Sequence, residues 1–355
     1  MIKSSLSTCS LLTILTLTAL LSLPQVARAA DLAGCEENLK KSLCYADPVT
    51  HWALASAENL TDNVKRYQDR ACLPAPESVF KKMVDVYRLF PVEVQKSFCE
   101  IKRIFIVKGK TDFGAVAEYY FDIKTLKAKT GEWTSSLSAK PTGYLMEISE
   151  QNRFGGETAS NYLSRVLQAR FGQASKNGLA KDLPIATYKT PFGNDGALAT
   201  TIVHEIGHML SRAQRVTNSF FETKSETAWT QLSWKFDGSS FTAATIDEDF
   251  QQRIRAKELK RADLRSTLRF MKKSAIPTLY AATGVEEEFA EQFMFNYYDD
   301  LKWTLDGDVV LDLREEFKSN PAFKAKRDFI RKLMKDPKPF STEKFGAVQG
   351  DLQLL

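Results

Sequence analysis

The chain has 355 residues, of which 26% are charged and 43% are hydrophobic, and its formal net charge is +5. These proportions are typical of a globular protein that buries one large core or two smaller ones. So small a net charge gives no indication of a nucleic-acid partner, and we expect none.

The N-terminal segment, 1–29, has the pattern of an export signal. Lys3 precedes an apolar stretch over residues 11–23, and the small-residue pattern Ala27-Arg28-Ala29 follows it. We therefore expect cleavage after Ala29 and a periplasmic or secreted mature protein. The apolar stretch is shorter than the roughly 20 residues of a membrane span, and no later segment reaches that length without charges, so no transmembrane segment is predicted.

An alternative to cleavage after Ala29 is lipidation at Cys35. The run Leu32-Ala33-Gly34-Cys35 resembles the box that precedes a lipidated bacterial cysteine. Arg28 and Asp31 lie between the apolar stretch and this box, where a lipidation signal should be continuous. The sequence therefore favours simple cleavage.

Residues 30–75 are predicted to form a small helical lead-in that contains disulfides. An even number of cysteines in the first third of an exported chain predicts two bridges, in one of three connectivities that the sequence leaves open. No Cys-x-x-Cys pair occurs among them, which argues against a cysteine zinc site. The four cysteines after the export signal are Cys35, Cys44, Cys72 and Cys99.

Residues 76–335 have the periodicities of one α+β domain. Helical spacing begins at Ser78, a short helix follows Pro91, strand patterns come next, and from the histidines to residue 332 nearly all of the chain is predicted helical. Residues 336–355, with two prolines and two glycines, are predicted to be a tail. The predicted elements between the first helices and the histidines cover 101–107, 115–121, 144–148, 158–171 and 183–188.

A five-residue motif, His204-Glu205-Ile206-Gly207-His208, carries the chemistry. On a helix, His204 and His208 project from one face one turn apart, so both imidazoles can bind one metal ion. Catalytic zinc takes three protein ligands and a water, and a neighbouring carboxylate accepts the proton of that water. The motif therefore predicts a Zn²⁺ site in which Glu205 is the general base.

The third ligand has to come from elsewhere in the chain. One class of zinc peptidases continues the motif with Gly and His, but this sequence has Ser211 and Gln214 at those positions. The remaining histidine, His51, lies in the lead-in. A carboxylate from a later helix is thus the better candidate, and the acidic run Glu286-Glu287-Glu288 supplies it.

The run from Glu287 to Glu291 resembles the second motif of gluzincin peptidases of the anthrax lethal factor type. In that family a tyrosine precedes the ligand glutamate by seven residues, as Tyr280 precedes Glu287 here. The resemblance implies a zincin-like fold with Glu287 as third zinc ligand, Glu291 orienting a histidine, and Tyr280 donating to the developing oxyanion. Glu286 and Glu288 remain alternatives for the ligand.

The resemblance covers these two motifs and the order of the helices around them. It departs in the spacer, because the segment between His208 and Glu287 is longer than these families usually have. Within that spacer, the basic stretch 250–273 either binds an anionic peptide or envelope polymer or forms a solvated helix face. The spacer aromatics either line a cleft or belong to the core; they are Trp229, Trp234 and Phe236.

Together these features predict an exported zinc endopeptidase that acts on a protein or peptide substrate. A metal and a base do not define the acyl group on which they act, so hydrolysis of another amide, such as a cell-wall amide, is an alternative. A second alternative is an envelope binding protein without catalytic activity.

Overall fold

The computed structural model describes residues 34–48, 60–109, 111, 113–125, 127–130, 135–139, 141–172, 182–217, 225–335 and 348–351. The predicted export signal, His51 and most of the predicted tail lie outside these ranges. Mixed α and β structure is present, in agreement with the predicted α+β class.

Helices and short strands alternate along the chain. The helices are residues 34–42, Leu60–Gln68, Glu77–Arg88, Val92–Cys99, Glu150–Arg153, Ala159–Ala169, Gly196–Ala213, Glu248–Ala256, Leu264–Lys273, Val285–Tyr297, Leu313–Ser319 and Pro321–Leu333. The strands are β1 (Leu43–Ala46), β2 (Arg103–Val107), β3 (Ala115–Phe121), β4 (Lys127–Thr130), β5 (Ser135–Ala139), β6 (Pro141–Ser149), β7 (Ile185–Tyr188), β8 (Trp234–Phe236), β9 (Phe241–Ala243), β10 (Leu301–Leu305), β11 (Asp308–Asp312) and β12 (Val348–Asp351).

The main sheet has four strands in the order β1-β2-β6-β3. β1 and β6 both pair with β2 in parallel, and β3 runs antiparallel to β6 at one edge. The predicted strands at 101–107, 115–121 and 144–148 correspond to β2, β3 and β6. β1 was not predicted: it comes from the lead-in, with Leu43 opposite Ile104 and Ala46 opposite Val107.

Two disulfides join the four cysteines, as predicted. Cys35 pairs with Cys99 and Cys44 pairs with Cys72, with Cα atoms 5.5 and 4.7 Å apart. The first bridge ties the lead-in to the helix that precedes β2, so the lead-in is bound covalently to the following domain. Cys35, the alternative lipidation site, is 5% exposed.

A second sheet in the C-terminal half corrects the prediction that this half is nearly all helix. β10 pairs with both β11 and β7, and a smaller hairpin joins β8 to β9. The β10–β11 hairpin turns at Asp306 and Gly307, both with positive φ (51° and 89°). Asp-Gly between two apolar runs is a strong hairpin signal, so this hairpin could have been predicted from the sequence.

Part of the predicted tail is also a strand. Residues 348–351 form β12, which pairs antiparallel with β5, where Val348 lies opposite Ala139 and Asp351 opposite Ser136.

In the described ranges, no helix combines the length and the apolar character that crossing a membrane requires.

The helix Gly196–Ala213, which we call the histidine helix, lies at the centre of the core. Every one of its 18 residues is buried. A helix that is covered on all sides has neighbours on every face; here they include β3, the helix Ala159–Ala169 and the helix Val285–Tyr297. We call this last helix the glutamate helix.

Candidate metal centre

The two motif histidines lie one turn apart on the histidine helix and point to the same place. Their ring centroids are 4.7 Å apart, and the Nε2 atoms of His204 and His208 are separated by 3.0 Å. Each residue is only 7% exposed. Burial in a packed helix holds both side chains in one orientation, which a metal site requires.

Glu287, on the first turn of the glutamate helix, completes the group. Its Oε2 atom lies 3.1 Å from His204 Nε2 and 3.3 Å from His208 Nε2. Tetrahedral zinc with ligand bonds of about 2.0–2.1 Å places its donor atoms about 3.3–3.4 Å apart. The three donor atoms therefore form a triangle of nearly the size that a zinc ion needs, and two imidazoles with one carboxylate are donors that zinc accepts.

The other two candidate glutamates point elsewhere. Glu288 is fully buried, forms an ion pair with Lys326 and accepts a hydrogen bond from Trp234 Nε1 at 2.7 Å. Glu286 approaches His208 from the other ring nitrogen, with Oε2 4.0 Å from Nδ1. Of the three alternatives, only Glu287 faces both Nε2 atoms.

Charge makes this site attractive to a cation. Burial opposes a charge on either imidazole, but the surrounding carboxylates outweigh it and raise the pKa of His204 well above its ordinary value and that of His208 to about 9. For Glu287, burial acts in the opposite direction, yet the two histidines hold the pKa of its carboxyl well below its usual range.

Glu291 lies one turn after Glu287 and reaches the far nitrogen of His204. Its Oε1 atom is 3.2 Å from His204 Nδ1, while its Oε2 atom accepts a hydrogen bond of 2.8 Å from Thr278 Oγ1. A carboxylate at Nδ1 holds the imidazole so that Nε2 faces the metal position. Sequence reasoning missed Thr278, because no motif links a threonine in the preceding segment to a carboxylate on this helix.

Tyr280 lies beside the same histidine. Its ring centroid is 5.6 Å from that of His204, and the Arg170 guanidinium lies 5.1 Å from the tyrosine ring. The Glu287 carboxylate, followed by burial and then the charges of other groups that include Glu205, raises the pKa of Tyr280 well above its ordinary value. The phenol therefore keeps its proton and is a hydrogen-bond donor.

Glu205 is buried, at 7% exposure, and is not one of the three grouped ligands. On the helix it follows His204 directly, so its side chain leaves the helix about 100° around from that of the histidine. The charge of its carboxylate helps to raise the pKa of Tyr280, so the two side chains are within electrostatic range of each other. The structure thus puts Glu205 near the site without making it a ligand.

The histidine and glutamate helices approach each other at two small residues. A Cβ atom built on Gly207 would lie 2.7 Å from Ala290 Cα, closer than real Cβ contacts come. Gly207 directly precedes the ligand His208, and Ala290 directly precedes Glu291. The glycine thereby permits the helix separation at which Glu287 reaches both histidines.

The structure shows what several spacer residues contact. Trp229 is fully buried, with its ring 5.0 Å from Phe289 and 5.3 Å from Phe329, so it belongs to the core. In the basic stretch 250–273, several charges are balanced within the protein. Its described ion pairs include Arg253 with Asp263, Arg261 with Asp182 and Lys272 with Glu316.

Comparisons with protein-family models, with curated proteins and with solved structures gave no match. The geometry of the residues therefore carries the functional argument.

Proposed function

We propose that this protein is an exported zinc-dependent peptidase with a zincin-like site, in which His204, His208 and Glu287 bind the metal. The observation that carries the proposal is the triangle of two Nε2 atoms and one Oε2 atom, with sides of 3.0, 3.1 and 3.3 Å. It brings together residues from two helices that lie far apart in the sequence. A donor set of this size, next to an additional buried glutamate, supports a hydrolytic zinc site.

Zinc bound at this position would lower the pKa of a water molecule and polarise the carbonyl group of the substrate. Glu205, the carboxylate that follows His204, accepts the proton of the attacking water and passes it to the leaving amine. Tyr280, held in its protonated form by the neighbouring carboxylate of Glu287, donates a hydrogen bond to the carbonyl oxygen as negative charge develops there. Glu291 keeps His204 in the orientation that binding requires.

One edge of the main sheet lies beside the histidine helix. β3 is the last strand of the main sheet and contacts the histidine helix, whose Arg212 donates a hydrogen bond of 2.6 Å to the backbone carbonyl of Ala117. Among the described strands, β3 pairs only with β6. Side chains already bind this edge at two residues, Ala117 through Arg212 and Phe121 through Gln68. An extended peptide could therefore form backbone hydrogen bonds only with the remaining groups of β3, alongside the helix that carries the motif.

The test compares wild-type protein with Glu205→Gln on a broad peptide library, with zinc content measured in both. We expect cleavage by the wild type and a loss of activity of at least about 100-fold in the variant, because general-base catalysis contributes about that much or more. Zinc should remain bound in the variant, since Glu205 is not a ligand. Equal activity in both proteins would remove Glu205 from the mechanism.

Two further outcomes separate the alternatives. A wild-type protein that binds zinc stoichiometrically but cleaves no peptide would point to another amide substrate, which cell-wall fragments would then test. A protein that neither contains zinc nor takes it up would refute the proposal. His204→Ala is the matched control, since it should abolish zinc binding itself.

A further inference from the structure

Thr278 is buried, at 2% exposure, in the segment that joins the helix Leu264–Lys273 to the glutamate helix. Its hydroxyl group makes two hydrogen bonds. Oγ1 donates to Glu291 Oε2 at 2.8 Å and accepts from the backbone N–H of Ala281 at 3.1 Å. The hydroxyl group thus uses its one hydrogen as donor and one lone pair as acceptor.

The first hydrogen bond acts on the metal ligands. The two oxygens of Glu291 have different partners, because Oε2 accepts from Thr278 while Oε1 lies 3.2 Å from His204 Nδ1. Rotation of the carboxylate about its last bond would lose the hydrogen bond from Thr278 and move Oε1 away from Nδ1, with which it is at ion-pair distance. Thr278 therefore fixes the group that in turn fixes the His204 ring.

The second hydrogen bond acts on the turn that presents Tyr280. Ala281, whose N–H is bound by Thr278, directly follows the tyrosine. On the other side, Thr283 donates to the Tyr280 carbonyl through its backbone N–H at 3.0 Å and through Oγ1 at 2.7 Å. The peptide group that follows Tyr280 is therefore held at both its N–H and its carbonyl, the former by Thr278.

We propose that Thr278 is a positioning residue that links the orientation of His204 to the placement of Tyr280, and so couples metal binding to stabilisation of the developing charge. This inference rests on the function proposed above. The hydroxyl group of a threonine with only a structural role could form its hydrogen bonds with any polar groups of the core. Thr278 instead directs both of its hydrogen bonds to the two elements that the proposed reaction requires.

The experiment measures the zinc dissociation constant by competition with a chelator, alongside kcat and KM on a cleaved peptide. Thr278→Val keeps the shape of the side chain and removes the hydroxyl group, while Thr278→Ser keeps the hydroxyl group. We expect Thr278→Val to weaken zinc binding by about tenfold, the lower end of the range for losing a partner of a metal-binding histidine, because Thr278 acts on His204 through Glu291. At saturating zinc, the kcat of Thr278→Val should fall with little change in KM. Thr278→Ser should retain both the zinc affinity and the kcat of the wild type.

Thr230→Val is the matched control. Thr230 is also fully buried, and its hydroxyl group donates to the backbone carbonyl of Thr227 and accepts from that residue's N–H, away from the site residues. It should lose thermal stability without a change in zinc affinity. Unaltered zinc affinity in Thr278→Val, or failure of Thr278→Ser to restore it, would overturn the inference. Because zinc binding is measured without substrate, this result is independent of whether the protein is a peptidase.

Discussion

Replacement of Gly207 by alanine tests the packing that assembles the metal centre. The added Cβ would lie 2.7 Å from Ala290 Cα and 3.2 Å from the Cβ and carbonyl oxygen of Ala290. Carbon atoms in favourable contact are about 3.5–4.0 Å apart, so the two helices must separate by about 1 Å. The neighbour is backbone, which cannot turn aside as a flexible side chain would.

The consequence differs for folding and for metal binding. Overpacking costs about 1–3 kcal/mol, and alanine returns about 1 kcal/mol through its better helix propensity, so the metal-free protein should lose about 0–2 kcal/mol. Zinc sites tolerate ligand displacements of only about 0.2 Å, and Glu287 lies one turn before Ala290 on the displaced helix. We therefore expect zinc affinity to fall by at least about tenfold.

Chelator competition gives the zinc affinity, and urea unfolding of the metal-free protein gives the stability. Gly34→Ala is the control, because Gly34 is also helical and an added Cβ there meets no atom within 4 Å. A Gly207→Ala protein that binds zinc within twofold of the wild type would refute the idea that this close approach sets the ligand geometry.

Two other predictions concern the charges around the site. The pKa values of His204 and His208 are raised in the folded protein, so protonation of these residues stabilises the metal-free protein. This stabilisation is complete below about pH 6.5, the ordinary pKa of histidine, and is lost as the pH rises through about 9, the folded-state pKa of His208. Urea unfolding with a chelator present should show this decline in stability, and zinc affinity should increase over the same pH range. If neither quantity changes with pH, the pKa values of the two histidines are not raised. Lys326→Met leaves Glu288 buried without its cation and should lower the free energy of unfolding by about 3–5 kcal/mol, measured in urea. The double variant Lys326→Met/Glu288→Gln should lose clearly less, and an equal loss would show that the ion pair is not the cause.

The grouping of the candidate site was largely predictable from sequence because its chemistry is local to two helices. Spacing of four residues places His204 and His208 on one face of any helix. The same rule places Glu287 one turn before Glu291, and in the structure those two carboxylates contact opposite nitrogens of His204. Periodicity alone does not separate Glu287 from Glu288, which also lies about one turn before Glu291, so the resemblance to the gluzincin motif made the choice.

Contacts between distant segments were beyond such reasoning. Nothing near Glu288 in the sequence shows that Lys326, on a later helix, neutralises it, or that Trp234, from the spacer, donates to it. Thr278 is similarly unmarked. These partners depend on how helices pack, and packing is decided by the whole core and not by local periodicity.

Strand β1 shows why the boundary predicted at residue 75 does not separate two independent parts. β1 covers one side of β2, from Leu43 opposite Ile104 to Ala46 opposite Val107. A protein that lacked residues 30–75 would expose the hydrogen-bonding groups of β2, a buried and apolar strand, as a new sheet edge. Backbone cleavage at residue 75 alone would leave the lead-in attached through the Cys35–Cys99 bridge. Exposed apolar edges pair with other chains, so the shortened protein would aggregate. The lead-in is therefore part of the mature fold, and we do not expect it to act as a prosegment that is released on activation.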